Sequence, residues 1–249
     1  MPDAATFDRM YGPAYATSNP PEDTEDPKRP DLVLSWLGKR PAGVFVDYGC
    51  GTGSLLTAAA ALGWTALGVE YQEDVVRQTE ARTDCRVLNG LAALRRCERL
   101  PADVVHLGDV IEHLPAPLDV LCELVSLLRP NGWLIAQGPL EAGPSLFTSG
   151  LRAARGIRPA RATLMPPYHV LQASVEGQRA LFERVGLDTM SYAVSEVAWP
   201  APSRLSARHL HQPRSVALFG LRKLSQALSA TNPSRWGNRY FYVGVTHQG

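Results

Sequence analysis

The chain has 249 residues, of which 45% are hydrophobic and 20% are charged. This length suits one α/β domain with insertions, and the composition excludes a disordered chain. The net charge of +1 excludes a polycation that coats nucleic acid, but the charge is unevenly distributed. Residues 1–149 carry 12 basic and 20 acidic side chains, whereas residues 150–249 carry 13 and 4. The basic C-terminal part would attract an anionic substrate or a membrane surface.

The cysteine pattern indicates a reducing compartment, and the hydropathy pattern indicates neither a signal peptide nor a transmembrane segment. The four cysteines match neither a Cys-x-x-Cys pair nor a zinc pattern, and they are too sparse for a disulfide scaffold. The first residues are polar and acidic, unlike a signal peptide, and the most apolar stretch, 55–69, is too interrupted to span a bilayer. We therefore expect a cytoplasmic protein with no transmembrane segment and no metal-ligand cluster.

The first 30 residues hold six prolines and a group of acidic side chains. Such a composition is typical of an extended arm. We therefore divide the chain into an N-terminal arm, 1–30, and a single domain, 31–249. The domain begins with a predicted helix over 31–37.

From Val44 onwards, short apolar runs alternate with helical segments. The predicted strands are 44–46, 65–69, 85–88, 103–107 and 133–137, and the predicted helices between them are 54–62, 73–83 and 118–128. This alternation is typical of a doubly wound parallel sheet. Residues 139–171 interrupt this alternation of strands and helices. Beyond them we expect a helix over 175–185, a strand over 189–197, a helix over 216–228 within an irregular segment 198–236, and a last strand over 239–245.

A glycine-rich loop follows the first predicted strand and precedes a helix. Gly49, Gly51 and Gly53 permit a tight turn and the close approach of a ligand, and the helix N-terminus presents free N–H groups. Glu70, at the end of the second predicted strand, can accept hydrogen bonds from both hydroxyls of a ribose. Together these features predict a crevice for a nucleotide-like cofactor.

The spacing of the loop narrows the choice of cofactor. The dinucleotide fingerprint requires its third glycine where this chain has Ser54, and the carboxylate of Asp47 would repel a pyrophosphate. A Walker loop is excluded because no Gly-Lys-Ser/Thr follows. A nicotinamide-dependent oxidoreductase is therefore the weakest interpretation.

Three segments together resemble the class I S-adenosylmethionine-dependent methyltransferases of the small-molecule and glycan type, which carry a Glu-His-Leu motif. They are Asp47-Tyr48-Gly49-Cys50-Gly51-Thr52-Gly53, Glu70 and Asp109-Val110-Ile111-Glu112-His113-Leu114. Pro130-Asn131-Gly132 is similar to the family's Pro-Gly-Gly turn. The resemblance covers about residues 40–138. It implies an α/β, Rossmann-like seven-stranded sheet whose last strand, 239–245, is antiparallel.

The resemblance also implies which residues contact S-adenosylmethionine. Those at the methionine end would be Gly49, Cys50, Gly51, Gly53, Gly108 and Asp109. Asp47 would brace the loop or meet the amino group of the cofactor. Glu70 would hold the ribose, Tyr71 would lie beside the adenine, and Asn89 would approach its amino group.

Two histidines are candidate catalytic bases. His113 follows the fourth predicted strand, and a neutral imidazole there could take a proton from the acceptor as the methyl group arrives. His113 could equally hold a loop with Glu112. His169, in a loop facing the same region, is the second candidate, and it too could be a loop histidine without a catalytic role.

The acceptor is expected to bind between two insertions, 139–173 and 196–236. Arg152, Arg155, Arg158 and Arg161 recur every three residues, either as a phosphate clamp or as a solvated face. We therefore expect a small-molecule or glycan acceptor, phosphate-bearing in one interpretation, methylated on oxygen or nitrogen. Nucleic acid is not expected as a partner, and the sequence specifies no oligomeric state. The alternative function is a non-catalytic module that binds S-adenosylmethionine or a nucleotide.

Overall fold

A seven-stranded mixed sheet forms the centre of the protein, of which the computed structural model describes residues 28–143, 145–154, 169–198 and 201–247. Its strands are β1 (Val44–Tyr48), β2 (Thr65–Glu70), β3 (Arg86–Asn89), β4 (Ala102–Gly108), β5 (Leu128–Pro139), β6 (Asp188–Ser195) and β7 (Arg239–Val245). They lie in the order β3-β2-β1-β4-β5-β7-β6, and β7 runs antiparallel to both of its neighbours. The doubly wound sheet with an antiparallel last strand is thereby confirmed.

Helices cover both faces of this sheet. They are α1 (Pro30–Leu37), α2 (Ser54–Ala61), α3 (Glu73–Thr83), α4 (Gly90–Arg95), α5 (Pro117–Ser126), α6 (Leu146–Ala154), α7 (Val175–Val185), α8 (Ala207–Leu210), α9 (Pro213–Thr231) and α10 (Pro233–Trp236). The predicted helices correspond to α1, α2, α3, α5, α7 and α9. The other four were not predicted, and three of them, α6, α8 and α10, lie in the two insertions.

Two hydrophobic clusters fill the space between the sheet and its helices. Phe45 packs with Leu56 of α2 on one face, whereas the next residue, Val46, belongs to the cluster of Leu121 and Phe182 on the other face. Successive residues of a strand point to opposite faces, so a strand covered on both sides needs apolar residues at every position. For this reason the central strands appear in the sequence as short, continuous apolar runs.

The strand order places a crevice at the carboxyl edge of the sheet. β1 pairs in parallel with β2 on one side and with β4 on the other. Connections from such neighbouring strands leave in opposite directions, and ligands bind in the resulting gap. The glycine loop after β1, Glu70 at the end of β2 and the segment after β4 therefore meet at one edge.

Apart from 239–245, every predicted strand differs from the observed strand at one or both ends. β3 covers Arg86–Asn89 rather than 85–88, and β6 ends at Ser195 rather than at residue 197. The Val197 backbone leaves the sheet because its N–H and its carbonyl both bind the side-chain amide of Asn238, each at 2.9 Å.

β5 is longer than predicted and includes the Pro130-Asn131-Gly132 segment that we expected to precede it. The pairing of β5 with β4 shifts from Ala102–Leu128 to Val104–Trp133, so the residues between bulge out of the ladder. Asn131 adopts a left-handed conformation there (φ 60°), which asparagine tolerates better than most residues.

The C-terminal part folds around a third, small cluster formed by Phe147, Ala198 and Ala201. We expected residues 198–236 to be mostly irregular, but α8, α9 and α10 occupy most of this segment. Arg155, Arg158 and Arg161 lie outside the described residues, as does most of the predicted N-terminal arm. Among the described helices, none is both long and apolar enough to cross a membrane.

Candidate cofactor and acceptor site

The glycine loop after β1 is left-handed at three alternate positions. The φ angles are +80° at Gly49, +50° at Gly51 and +75° at Gly53, a region that other residues rarely adopt. A Cβ on Gly49 would lie 2.4 Å from Val110 Cγ2, so a side chain has no room there. A Cβ on Gly51 would instead point into the crevice, where the nearest atom is Lys28 Nζ at 3.8 Å.

Neighbouring elements hold this loop in place. The Gly49 N–H donates to the carbonyl of Val69 on β2 at 2.8 Å. From α3, the Thr79 hydroxyl donates to the Gly51 carbonyl at 2.7 Å, and Arg82 Nε donates to the Thr52 carbonyl at 3.0 Å. The loop is thus held by one of its N–H groups on the sheet side and by two of its carbonyls on the helix side.

Glu70 links the loop to the end of β2. Its Oε2 accepts the Gly51 N–H at 3.0 Å and its Oε1 accepts the Tyr71 N–H at 2.8 Å. Each carboxylate oxygen has two lone pairs, so each can still accept a further hydrogen bond. This geometry suits the two hydroxyls of a ribose.

Tyr71 and Asn89 lie together beside Glu70. Glu70 pairs with Asn89 across β2 and β3, and Asn89 Nδ2 donates to the Tyr71 carbonyl at 2.9 Å. The Tyr71 side chain is 59% exposed. An exposed aromatic ring next to an amide offers a stacking surface and hydrogen-bonding groups for a planar base.

Cys50 differs from the expected arrangement. Its side chain is buried in the cluster that contains Leu56, and a Cβ on Gly68 would lie 2.8 Å from Sγ. Burial raises the pKa of this thiol well above its usual range. The side chain therefore belongs to the core, and only the backbone of Cys50 is placed to line the cofactor site.

Asp47 belongs to a buried hydrogen-bonded row that sequence reasoning missed. Its Oδ1 lies 2.7 Å from His106 Nδ1, and Gln137 Nε2 lies 3.1 Å from His106 Nε2. With the Gln137 amide N–H donating to Nε2, the Nδ1–H of His106 donates to Asp47. Of the two expected roles of Asp47, this arrangement supports the bracing of the loop. The sequence signal for this row was His106, a histidine inside the otherwise apolar strand β4.

Asp109 follows β4 with a left-handed backbone (φ 54°), and its carboxylate pairs with Arg239 on β7. Burial alone would raise the pKa of Asp109, but the guanidinium outweighs it and holds the pKa below its usual value. The preceding Gly108 is also constrained, since a Cβ there would lie 2.8 Å from His106 Cε1. Both residues lie next to the glycine loop, with the Asp109 charge already balanced by a protein cation.

The two predicted catalytic histidines meet around Glu112. Glu112 Oε1 lies 3.9 Å from His113 Nε2 and 4.0 Å from His169 Nε2, and the two imidazole centroids are 4.8 Å apart. Glu112 is 5% exposed, and within the described part of the chain neither of its carboxylate oxygens has a hydrogen-bond partner. Burial, followed by the charge of Asp109, raises the pKa of Glu112 to about 8.

Backbone contacts bring His169 to this position. The N–H groups of Val170 and Leu171 donate to the Glu112 carbonyl at 3.0 and 3.1 Å. His169 Nδ1 lies 2.7 Å from Glu141 Oε2, a partner that sequence reasoning also missed. Burial would lower the pKa of His169, but the hydrogen bond to Glu141 and the charge of Glu112 raise it above its usual value.

Gly138 makes room for the buried end of the cluster. A Cβ there would lie 3.0 Å from the Tyr240 hydroxyl and 3.3 Å from Glu112 Oε2. The nitrogen and oxygen atoms of Glu112, His113 and His169 that could ligate a metal lie within 4.8 Å of one another. Residues 57 positions apart in the sequence thus converge after β4 and β5 into a group that could ligate a metal, an arrangement that the sequence analysis did not anticipate.

The methyltransferase domain family matches this chain over residues 18–192. The chain belongs to this family. Among solved structures, it is similar to the magnesium protoporphyrin IX methyltransferase of Synechocystis PCC 6803 with bound S-adenosylhomocysteine (18% identity, TM-score 0.58, covering 98% of this chain and 95% of that one). It is also similar to a cyclopropane synthase from Mycobacterium tuberculosis (14% identity, TM-score 0.56, covering 96% and 93%).

Among curated proteins, the chain is similar to a ubiquinone biosynthesis O-methyltransferase of Burkholderia pseudomallei. The two are 28% identical over 110 residues, which cover 41% of this chain and 47% of the relative. The chain therefore spans about half the length of the curated relatives that it matches. These comparisons confirm that the chain belongs to the class I S-adenosylmethionine-dependent methyltransferase family, whose cofactor is S-adenosylmethionine.

The crevice also suits S-adenosylmethionine physically. The space inward of Gly51, which a Cβ would occupy, allows a ligand to reach the backbone of the loop. Glu70 retains acceptor capacity for the ribose, and Tyr71 and Asn89 lie beside it. Lys28 Nζ lies 3.8 Å from the position of a Cβ on Gly51.

Proposed function

We propose that this protein transfers a methyl group from S-adenosylmethionine to an oxygen atom of a small molecule. The observation that carries the proposal is the cluster of Glu112, His113 and His169, which lies after β4 at the same sheet edge as the glycine loop. A hydroxyl must lose its proton as it is methylated, and this cluster groups a carboxylate with two imidazoles. The relatives named as O-methyltransferases support oxygen over nitrogen as the acceptor atom.

The proposed cofactor contacts follow the geometry of the crevice. The backbone at Gly49, Gly51 and Gly53 lines the methionine part, and Glu70 accepts hydrogen bonds from the ribose hydroxyls. Tyr71 and Asn89 bind the adenine, while Lys28 pairs with the methionine carboxylate. Bound S-adenosylmethionine supplies a methyl group on a positively charged sulfur, and the protein's contribution is chiefly to align donor and acceptor.

The acceptor side of the site is proposed to come from the insertions 139–173 and 196–236, within the single domain 31–249. The first insertion already supplies Glu141 and His169 to the cluster. The excess of basic residues after position 149 favours an acceptor with an anionic group, such as a phosphate. Such an acceptor would bind more weakly as the salt concentration rises.

A cytoplasmic location remains a prediction.

The proposal is tested by measuring S-adenosylhomocysteine formation with hydroxyl and amine acceptors, each with and without a phosphate. His113→Ala and His113→Gln should lower turnover by roughly 10²- to 10⁴-fold, the usual value of assisted proton removal, and leave cofactor affinity nearly unchanged. His247→Ala is the control, because His247 is exposed and pairs with Asp188. Cofactor binding without turnover on any acceptor would instead favour the non-catalytic binding module.

If both His113 variants turn over within about threefold of the wild type, His113 is structural. His169→Ala then becomes the decisive variant, since its imidazole also faces Glu112.

A further inference from the structure

The Glu112–His113–His169 cluster has the composition of a metal site as well as that of a proton acceptor. Two imidazoles and one carboxylate are a ligand set that first-row divalent cations use with open positions left for a substrate. The three ligand atoms come from a single turn after β4 and from one loop of the first insertion. The site is therefore anchored on both sides.

The orientation of His169 strengthens this interpretation. Glu141 Oε2 is 2.7 Å from His169 Nδ1, so this nitrogen carries the proton and donates it to the carboxylate. In the neutral imidazole, which is the form that binds a metal, the lone pair is then on Nε2, the atom that faces Glu112 Oε1 at 4.0 Å. A carboxylate behind a histidine that fixes its tautomer is the usual arrangement around protein-bound metals.

Glu112 supplies a second, independent observation. Both of its carboxylate oxygens are buried without a hydrogen-bond partner among the described residues, and the side chain is aimed at the two imidazoles. A buried polar group is almost always satisfied, so its lack of a protein partner requires an explanation. A cation between Glu112 Oε1 and the imidazoles would supply the missing interaction.

The charges around the cluster point the same way. Glu112, Glu141 and Asp109 are three neighbouring carboxyl groups, and Arg239 balances Asp109 alone. Glu141 pairs with His169, which leaves Glu112 as the carboxyl group that a divalent cation would meet. Metal–ligand distances of about 2.0–2.2 Å place ligand atoms roughly 3–3.5 Å apart, so the observed separations of up to 4.8 Å need to contract by about 1 Å.

We propose that Glu112, His113 and His169 bind one first-row divalent cation, such as Zn²⁺ or Mn²⁺, and that Glu141 orients His169 for this role. The cation deepens the proposed function, on which its role in the reaction rests. It would bind the acceptor hydroxyl oxygen and favour loss of its proton to solvent, so that His113 would assist proton removal as a ligand of the cation and not as the base itself. The oxygen lone pair then forms the bond to the methyl carbon as the carbon–sulfur bond breaks, and the sulfur keeps that electron pair as a neutral thioether.

The test uses chelator-treated protein without S-adenosylmethionine or acceptor, in a Cys122→Ser background that removes an exposed thiol. Zn²⁺ binding is followed by calorimetry. Co²⁺ binding is followed by its visible absorption, which reports nitrogen coordination in a distorted site. We expect one equivalent of either ion to bind, with affinity at least tenfold lower in Glu112→Gln and His169→Ala. Glu141→Gln should weaken binding by about 10- to 100-fold.

His247→Ala, at an exposed histidine, is the matched control and should bind the ion normally. S-adenosylmethionine affinity is measured for every variant to show that it is folded. Absence of saturable binding in the wild type, or one equivalent bound equally well by Glu112→Gln and His169→Ala, would overturn the proposal. A Gly51→Val variant that loses cofactor affinity but keeps the cation separates this site from the proposed methyl transfer.

Discussion

Glu70 shows how one side chain can prepare a site before its ligand arrives. Its two oxygens accept the backbone N–H groups of Gly51 and Tyr71 and thereby join the glycine loop to the end of β2. The loop is left-handed at three positions, and the contacts of Glu70 and Thr79 hold it in that form. The ribose would then meet a carboxylate that is already oriented, so little ordering entropy is lost on binding.

Replacing Glu70 should therefore weaken cofactor binding. We expect Glu70→Ala to reduce S-adenosylmethionine affinity by about 1–3 kcal/mol, or roughly 5- to 150-fold, because charge-assisted hydrogen bonds are lost. Glu70→Gln keeps one acceptor oxygen, so its affinity for S-adenosylmethionine should lie between that of the wild type and that of Glu70→Ala. Calorimetry measures the affinities, and Glu73→Ala, an exposed carboxyl on α3, is the control. Unchanged affinity in both Glu70→Ala and Gly51→Val would contradict the assigned cofactor site.

At the scale of elements, one row of side chains ties three neighbouring strands together. Asp47 on β1, His106 on β4 and Gln137 on β5 are each no more than 4% exposed, and His106 bridges the other two. The row lies directly beneath the start of the glycine loop. It thereby couples the packing of the central strands to the position of the cofactor site.

Removal of the bridging histidine should destabilise the protein. We expect His106→Leu to lower the free energy of unfolding by about 3–5 kcal/mol, because the Asp47 carboxylate is left buried without its donor. Denaturant unfolding measures the change. The double variant Asp47→Asn/His106→Leu should recover part of the loss, since no buried charge is left without a partner. Effects that add within about 0.5 kcal/mol would show that the two side chains are independent.

The sequence predicted those elements whose signal is local. The glycine loop, Glu70 and six helices follow from spacing and periodicity within a few residues of each other. The ion pair of Asp109 with Arg239 joins positions 130 residues apart, and the Glu141–His169 contact depends on where β5 ends. No local pattern encodes such pairs.

One helix that was not predicted, α6, also depends on contacts that its local sequence does not encode. α6 contains Ser149 and Gly150, which lower its intrinsic helix propensity. Its packing compensates, since a Cβ on Gly150 would lie 3.0 Å from Leu221 Cδ2 of α9. This close approach of the two helices is a tertiary contact, which a reading of either segment by itself does not contain.

At the scale of the whole molecule, Glu196 fastens both insertions to the sheet. Its buried carboxylate, just beyond β6, accepts hydrogen bonds from Ser145 at 2.9 Å and from Ser225 of α9 at 2.7 Å. Ser225 in turn accepts the Phe147 N–H at 3.1 Å, at the start of α6. The elements proposed to form the acceptor side thus meet at one acidic group, so its ionisation affects how firmly they are attached.

The stability of the protein should consequently depend on pH through Glu196. Burial raises the pKa of this carboxyl above 4.5, although the two serine hydroxyls oppose the shift. A group whose pKa is raised by folding stabilises the folded state fully below its unfolded pKa, and this contribution is lost as the pH rises through the folded value. We therefore expect the wild type to lose stability relative to Glu196→Gln as the pH rises above the usual glutamate pKa of 4.5, as measured by denaturant unfolding at each pH. Glu176→Gln, at an exposed carboxyl of α7, is the matched control. A difference between wild type and Glu196→Gln that stays constant with pH, or that changes in the opposite direction, would show that Glu196 does not carry this dependence.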